Sequence, residues 1–170
     1  AHTIKNEPVS SIALMERAGK ECFDWIISNT DNSKKHIVIC GTGNNGGDGL
    51  VIARLLSERK LPVEIIILSS SSEFSEDFAK NFEAIKKSTI LVKQITEGGK
   101  IALTGDVTII DAIFGTGLSR PVDGWLGKCI DDINGSGNKI ISIDLPSGLF
   151  ADQHTEGKVI CATHTLTFQN

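Results

Sequence analysis

The chain has 170 residues, 40% of them hydrophobic and 22% charged, with a net charge of −4. That suits one globular domain with an ordinary core, and its acidic balance excludes nucleic acid and anionic membrane as default partners. No apolar run approaches the length of a membrane span.

The N-terminus, Ala1-His2-Thr3-Ile4-Lys5, resembles neither a signal nor a transit peptide. A cytoplasmic location is expected from the cysteine usage. The missing initiator Met predicts that the first residues of the protein are absent, which leaves a lost targeting segment open. Cys22, Cys40, Cys129 and Cys161 are scattered without C-x-x-C spacing, so reduced and mostly buried thiols are expected. His2, His36, His154 and His164 are isolated and have no metal-ligand spacing.

A first helix is predicted after Pro8, capped by Ser10 or Ser11, with Ile12, Met15, Gly19, Cys22, Phe23 and Ile26 on its apolar face. A buried strand follows at 37–40, and the spacing of Leu50, Val51, Ala53, Leu55 and Leu56 predicts a helix from about 49 to 59. Pro62 punctuates a second strand over 63–68, followed by a polar connection from Ser69 to Ser75. An amphipathic helix over 76–87 points Phe78, Phe82 and Ile85 inward, and Ile90-Leu91-Val92 makes a short third strand. Val107 to Ile110 is a fourth strand ending at Asp111; a helix near 124–133 and a fifth strand over 139–143, ending at Asp144, complete the regular part. One or two further strands are expected within 158–168. Strands alternating with helical patterns predict an α/β domain, a three-layer Rossmann-like open sheet, mainly parallel, with helices on both faces. Ligands of such sheets bind at the carboxyl ends of the strands.

The loop between the first strand and its helix is the richest feature. Gly41-Thr42-Gly43-Asn44-Asn45-Gly46-Gly47-Asp48-Gly49 holds five glycines in nine residues. Such a turn lets main-chain N–H groups approach an anion, and the helix N-terminus adds its positive dipole end. Gly41, Gly43 and Gly46 satisfy the dinucleotide pattern G-x-G-x-x-G, but no carboxylate follows the second strand, where a nicotinamide dehydrogenase holds its ribose. A P-loop is excluded because Gly47-Asp48-Gly49 stands where Gly-Lys-Ser/Thr is needed. Asp48 repels phosphate unless it meets a cation, a ribose hydroxyl or backbone donors.

Two more strand ends carry polar loops, Asp111-Ala-Ile-Phe-Gly115-Thr116-Gly117-Leu118-Ser119-Arg120-Pro121 and Asp144-Leu-Pro-Ser147-Gly148. A parallel sheet brings all three to one edge. A single aspartate there reads as a turn or cap residue, and Arg120 by itself as a solvated surface charge. Convergence of three loops shifts the reading towards function. Asp111 and Asp144 are costly to bury side by side unless a cation or a donor separates them. Oxygens from Asp111, Asn45 and Ser147 suit a hard alkali or alkaline-earth ion rather than zinc. Arg120 can fork onto a phosphate.

These motifs, with Leu14-Met15-Glu16-Arg17-Ala18-Gly19 in the first helix, resemble the NAD(P)H-hydrate epimerase family, the YjeF N-terminal domain. The resemblance spans about residues 7 to 168, with the four motifs in the family's order. It implies a single domain over 1–170, cut short at both ends, and an isomerase that interconverts the R and S hydrates of NADH and NADPH. The substrate would lie against Asn44, Asn45, Gly46, Gly47 and Asp48, against Gly115, Thr116, Gly117, Leu118, Ser119, Arg120 and Pro121, and against Asp144. One potassium ion would take Asn45, Asp111 and Ser147 as ligands. Asp144 is the candidate catalytic group, moving a proton beside the ring. The implied partners are an ADP- or ATP-dependent dehydratase, fused in many bacteria, and a second copy in a homodimer. Two readings compete. One is a non-catalytic nucleotide-binding or dimerisation scaffold of the same fold; the other is an ordinary nicotinamide-dependent dehydrogenase.

Overall fold

Four of the six strands are buried along most of their length, which a sheet covered on both faces requires. The computed structural model describes residues 10–70 and 73–168. Its elements are α1 (Ser11–Asn29), β1 (Lys35–Cys40), α2 (Asn44–Glu58), β2 (Val63–Ser69), α3 (Glu76–Lys86), β3 (Leu91–Thr96), β4 (Val107–Ala112), α4 (Gly124–Asn134), β5 (Lys139–Ile143) and β6 (His164–Leu166). Short β6 is the exception to full burial, together with the edge strand β3.

The sheet runs β3-β2-β1-β4-β5-β6 with every neighbouring pair parallel. Chain order reverses beside β1, between β2 and β4, and this switch opens a crevice at the carboxyl ends of the strands. One core layer packs Phe23 and Ile26 of α1, Leu50 and Leu56 of α2, and Phe78 and Ile85 of α3 on one sheet face. On the other face Cys129, Ile130 and Ile133 of α4 join Ile101, Val122 and Ile160 from the connections. Helices thus cover both faces, three on one and one on the other.

α1 begins where the sequence places it, with the Ser10 hydroxyl accepting the Ala13 N–H at 3.3 Å. Its predicted face is buried at Met15, Gly19, Cys22, Phe23 and Ile26, whereas Ile12 is half-buried. Pro8 lies outside the described residues. β3 continues to Thr96, beyond the three apolar residues that announced it. As an edge strand it buries little, so Lys93 and Gln94 break the apolar run while backbone pairing with β2 persists.

The largest departure is α2. It begins at Asn44, so Asn44 to Gly49 are helical rather than a loop. Glycine disfavours helix by about 1 kcal/mol relative to alanine, which hides this turn from propensity reasoning. Tertiary packing decides it instead. A Cβ on Gly46 would lie 2.0 Å from the Gly41 carbonyl oxygen, and one on Gly49 would lie 2.7 Å from Ala112 Cβ. Only a helix stripped of side chains there can approach β1 and β4 so closely.

Cys22, Cys40 and Cys129 are buried free thiols, as expected, but Cys161 is exposed. His36 is fully buried, and its Nδ1 has no hydrogen-bond partner among the described residues.

Candidate active site

The three strand-end loops meet around one cleft of about 700 Å³. Of the residues singled out from sequence, Asn44, Asn45, Asp48, Gly115, Thr116, Gly117, Leu118, Ser119, Arg120 and Asp144 line it. Gly46 and Gly47 do not. They face inward, Gly46 towards Gly41 and Gly47 towards the Met15 sulfur, and their work is packing. Pro121 is exposed outside the cleft, while Asp111 and Ser147 are fully buried and do not line it.

The α2 end of the cleft is an anion seat. Gly43 is the N-cap and provides no side-chain acceptor for the first helical N–H groups. The loop before it is held by Gly41 N–H donating to the Ala112 carbonyl at 3.1 Å, and by Ser75 N–H donating to the Thr42 carbonyl at 3.0 Å. The second contact brings the start of α3 to the rim, so Ser75 lines the cleft beside Thr42.

Asp144 has φ +67°, a left-handed conformation rare outside glycine. It is fixed from two sides. Its N–H donates to the Leu166 carbonyl of β6 at 2.8 Å, and its Oδ2 accepts the Thr116 N–H at 2.8 Å. Gly115 is required by this contact, because a Cβ there would lie 2.4 Å from Asp144 Oδ2.

Asp111 is handled differently. Its Oδ2 accepts the Ser142 hydroxyl at 2.7 Å and the Ser147 N–H at 2.9 Å. Its Oδ1 accepts the Ser147 hydroxyl at 2.5 Å and the Ile113 N–H at 3.3 Å. Burial pushes this carboxyl up, against the pull of those donors. The two aspartates are therefore separated by a donor network, one beneath the site and one at its surface. Ser142 was absent from the sequence argument, although it left a signal. It is the one polar residue inside the Ile140–Ile143 run and pairs in register with Asp111. Thr42, Ser75, Ile113 and Phe114 also line the cleft without having been singled out.

Asn45 bridges the halves, its Nδ2 donating to the Ile143 carbonyl at 3.2 Å. Its Oδ1 is buried and has no partner among the described residues. A buried amide oxygen without a partner is a donor that a hard cation takes up, as are the oxygens of Asp111 and Ser147. The residues fit such an ion.

Asp48 lies half-buried on the cleft wall. Burial, with the carboxylates of Asp144 and Asp77 nearby, pushes its carboxyl up to about 8. Arg120, which is exposed, is a cation of the lining.

A doubly wound parallel sheet with its cleft at the switch point places the molecule in the Rossmann-like α/β class. The comparison with yeast ynu0 agrees: TM-score 0.68, 22% identity, covering 93% of this chain and 70% of that one. A family model described as YjeF-related protein N-terminus matches residues 11–170, and the chain belongs to that family. It is 36% identical to an NAD(P)H-hydrate epimerase of Oenococcus oeni, over 98% of this chain and 78% of that protein. It is 37% identical to the bifunctional NAD(P)H-hydrate repair enzyme Nnr of Thermofilum pendens, over 91% of this chain. The chain spans 30% of the length of that larger protein. No described helix is long and apolar enough to cross a membrane.

Proposed function

We propose that this chain is an NAD(P)H-hydrate epimerase, interconverting the R and S hydrates of NADH and NADPH. The observation that carries the reading is one cleft joining the uncapped start of α2, the 115–120 loop and Asp144. The activity for which the Oenococcus relative is named, matched along nearly the whole chain, supports it.

The hydrated ring carbon carries a hydroxyl and is bonded to the ring nitrogen, so it is a hemiaminal. Loss of the hydroxyl gives a planar iminium that water can attack on either face. The free N–H groups of α2 and the Arg120 guanidinium suit the pyrophosphate or another phosphate. Asp144, pinned by Thr116 and Leu166, holds or moves a proton beside the ring. Asn45, Asp111 and Ser147 would hold potassium, whose charge would offset the buried Asp111 carboxylate.

The test uses isolated R hydrate of NADH in potassium buffer, with chromatography following appearance of the S form. Acceleration above the spontaneous rate supports the epimerase. A folded sample that binds the hydrate without acceleration favours the scaffold reading. Hydride transfer from NADH to a carbonyl acceptor would favour the dehydrogenase. Replacing potassium by a large organic cation should reduce turnover if the Asn45 site holds the ion. The bifunctional Thermofilum relative supports partnership with a dehydratase, and sedimentation checks the expected homodimer.

A further inference from the structure

We propose that Asp48 is a second catalytic residue of this cleft, the acid that protonates the departing hydroxyl while Asp144 serves the opposite face of the ring. The proposal rests on the epimerase reading and adds a residue to its chemistry.

Asp48 follows Asn44 by one helical turn and Asn45 by three residues, and all three line the cleft. It lies beyond the N-cap to N3 positions, where a carboxylate takes up free N–H groups; the first turn of α2 contains no acidic residue. Among the described residues it makes no hydrogen bond and no ion pair. A half-buried carboxyl with neither cap nor cation brings the fold nothing. Burial, and after it the acidic neighbours Asp144 and Asp77, favour the form that still carries its proton. Asp144 approaches from the end of β5 and Asp48 from α2, so two carboxyl groups reach the cleft from different elements.

The step balances as follows. Asp48 gives its proton to the hydroxyl, the C–O bond breaks with its electron pair on oxygen, and water leaves. The ring nitrogen lone pair forms the C=N bond of the iminium. Water then adds from the other face through an oxygen lone pair, its released proton passes to the Asp144 carboxylate, and the C=N electron pair returns to nitrogen. Substrate and product differ only in configuration, and solvent returns the proton from Asp144 to Asp48 between turnovers. One carboxyl alone would have to serve both faces.

The experiment compares the full chain with Asp48→Asn and Asp48→Ala on the R hydrate, reading kcat and KM separately and checking each variant by thermal unfolding. Asp48→Asn should lower kcat about 100-fold or more with KM within about threefold. Asp48→Ala should lose the same turnover and regain part of it with added imidazole at about pH 6.5, whose protonated form supplies the missing proton. Retained kcat in either folded variant, or a loss confined to KM, overturns the proposal and makes Asp48 a binding group. A wild-type chain that does not accelerate epimerisation overturns the epimerase reading itself, and this proposal with it.

Discussion

Glu64 and Asp48 are carboxyls drawn into the fold, and they are treated in opposite ways. Glu64, in β2, is only 3% exposed, yet Lys35 of β1 and Lys93 of β3 both ion-pair with it, Lys93 at 2.6 Å. Burial disfavours its charge, but the two ammonium groups outweigh burial and hold the carboxyl below the usual range. Among the described residues Asp48 has no cation partner, and burial, joined by its acidic neighbours, pushes it the other way. The first arrangement ties three adjacent strands together. The second leaves two carboxyls facing one cleft, one of them favoured in its neutral form, an arrangement characteristic of a site kept for chemistry.

The largest expected effect is at the cleft. Asp144→Asn should lower epimerase turnover by about 10²–10⁴-fold while changing hydrate binding much less, measured by turnover and calorimetry. Equal turnover in that variant would remove Asp144 from the chemistry.

The second tests the sheet. Glu64→Ala should destabilise the fold by about 1–3 kcal/mol in denaturant unfolding, since both lysines lose their shared acceptor. The lysines are half-exposed, which keeps this below the loss expected for stranding a fully buried charge.

Third, the two carboxyls should give opposite pH dependence. Glu64 titrates lower in the fold than in the unfolded chain, where its value is about 4.3. Its contribution is therefore present above that value and is lost as pH falls through the folded one. Asp48 is held near 8 in the fold against about 3.9 unfolded. Its neutral form favours the fold at acid pH, and that advantage disappears as pH rises from about 4 to about 8. Asp48→Asn should consequently raise the melting temperature by a few degrees above pH 8 and have little effect near pH 4. Thermal scans at both pH values check this, and no difference between them would break the comparison.

The smallest effect concerns Lys93→Ala alone. Glu64 keeps Lys35, so the loss should stay near about 1 kcal/mol in the same unfolding assay. A larger loss would mean that the edge strand β3 depends on this one pair.

Sequence alone determined the elements whose signals are local. Apolar runs announced the buried strands β1, β2, β4 and β5, and a 3.6-residue period placed α1, after a cap at Ser10 or Ser11, and α3. Three polar strand ends in an alternating chain were enough to predict convergence, because a parallel sheet leaves no other edge for them. Tertiary structure alone decided which residues do what there. The glycines of α2 read as a loop by propensity, but close packing against Gly41, Met15 and Ala112 makes them helix and takes Gly46 and Gly47 away from the cleft. Asp111 and Asp144 look equivalent in the sequence, each closing an apolar strand. Strand register sets Ser142 beside Asp111, and the fold of the next loop adds Ser147, which satisfies Asp111 beneath the site while Asp144 stays at its surface. Burial and partner geometry are properties of the assembled fold, so the protonation of Asp48 could be read only once α2, α3 and β5 were in place.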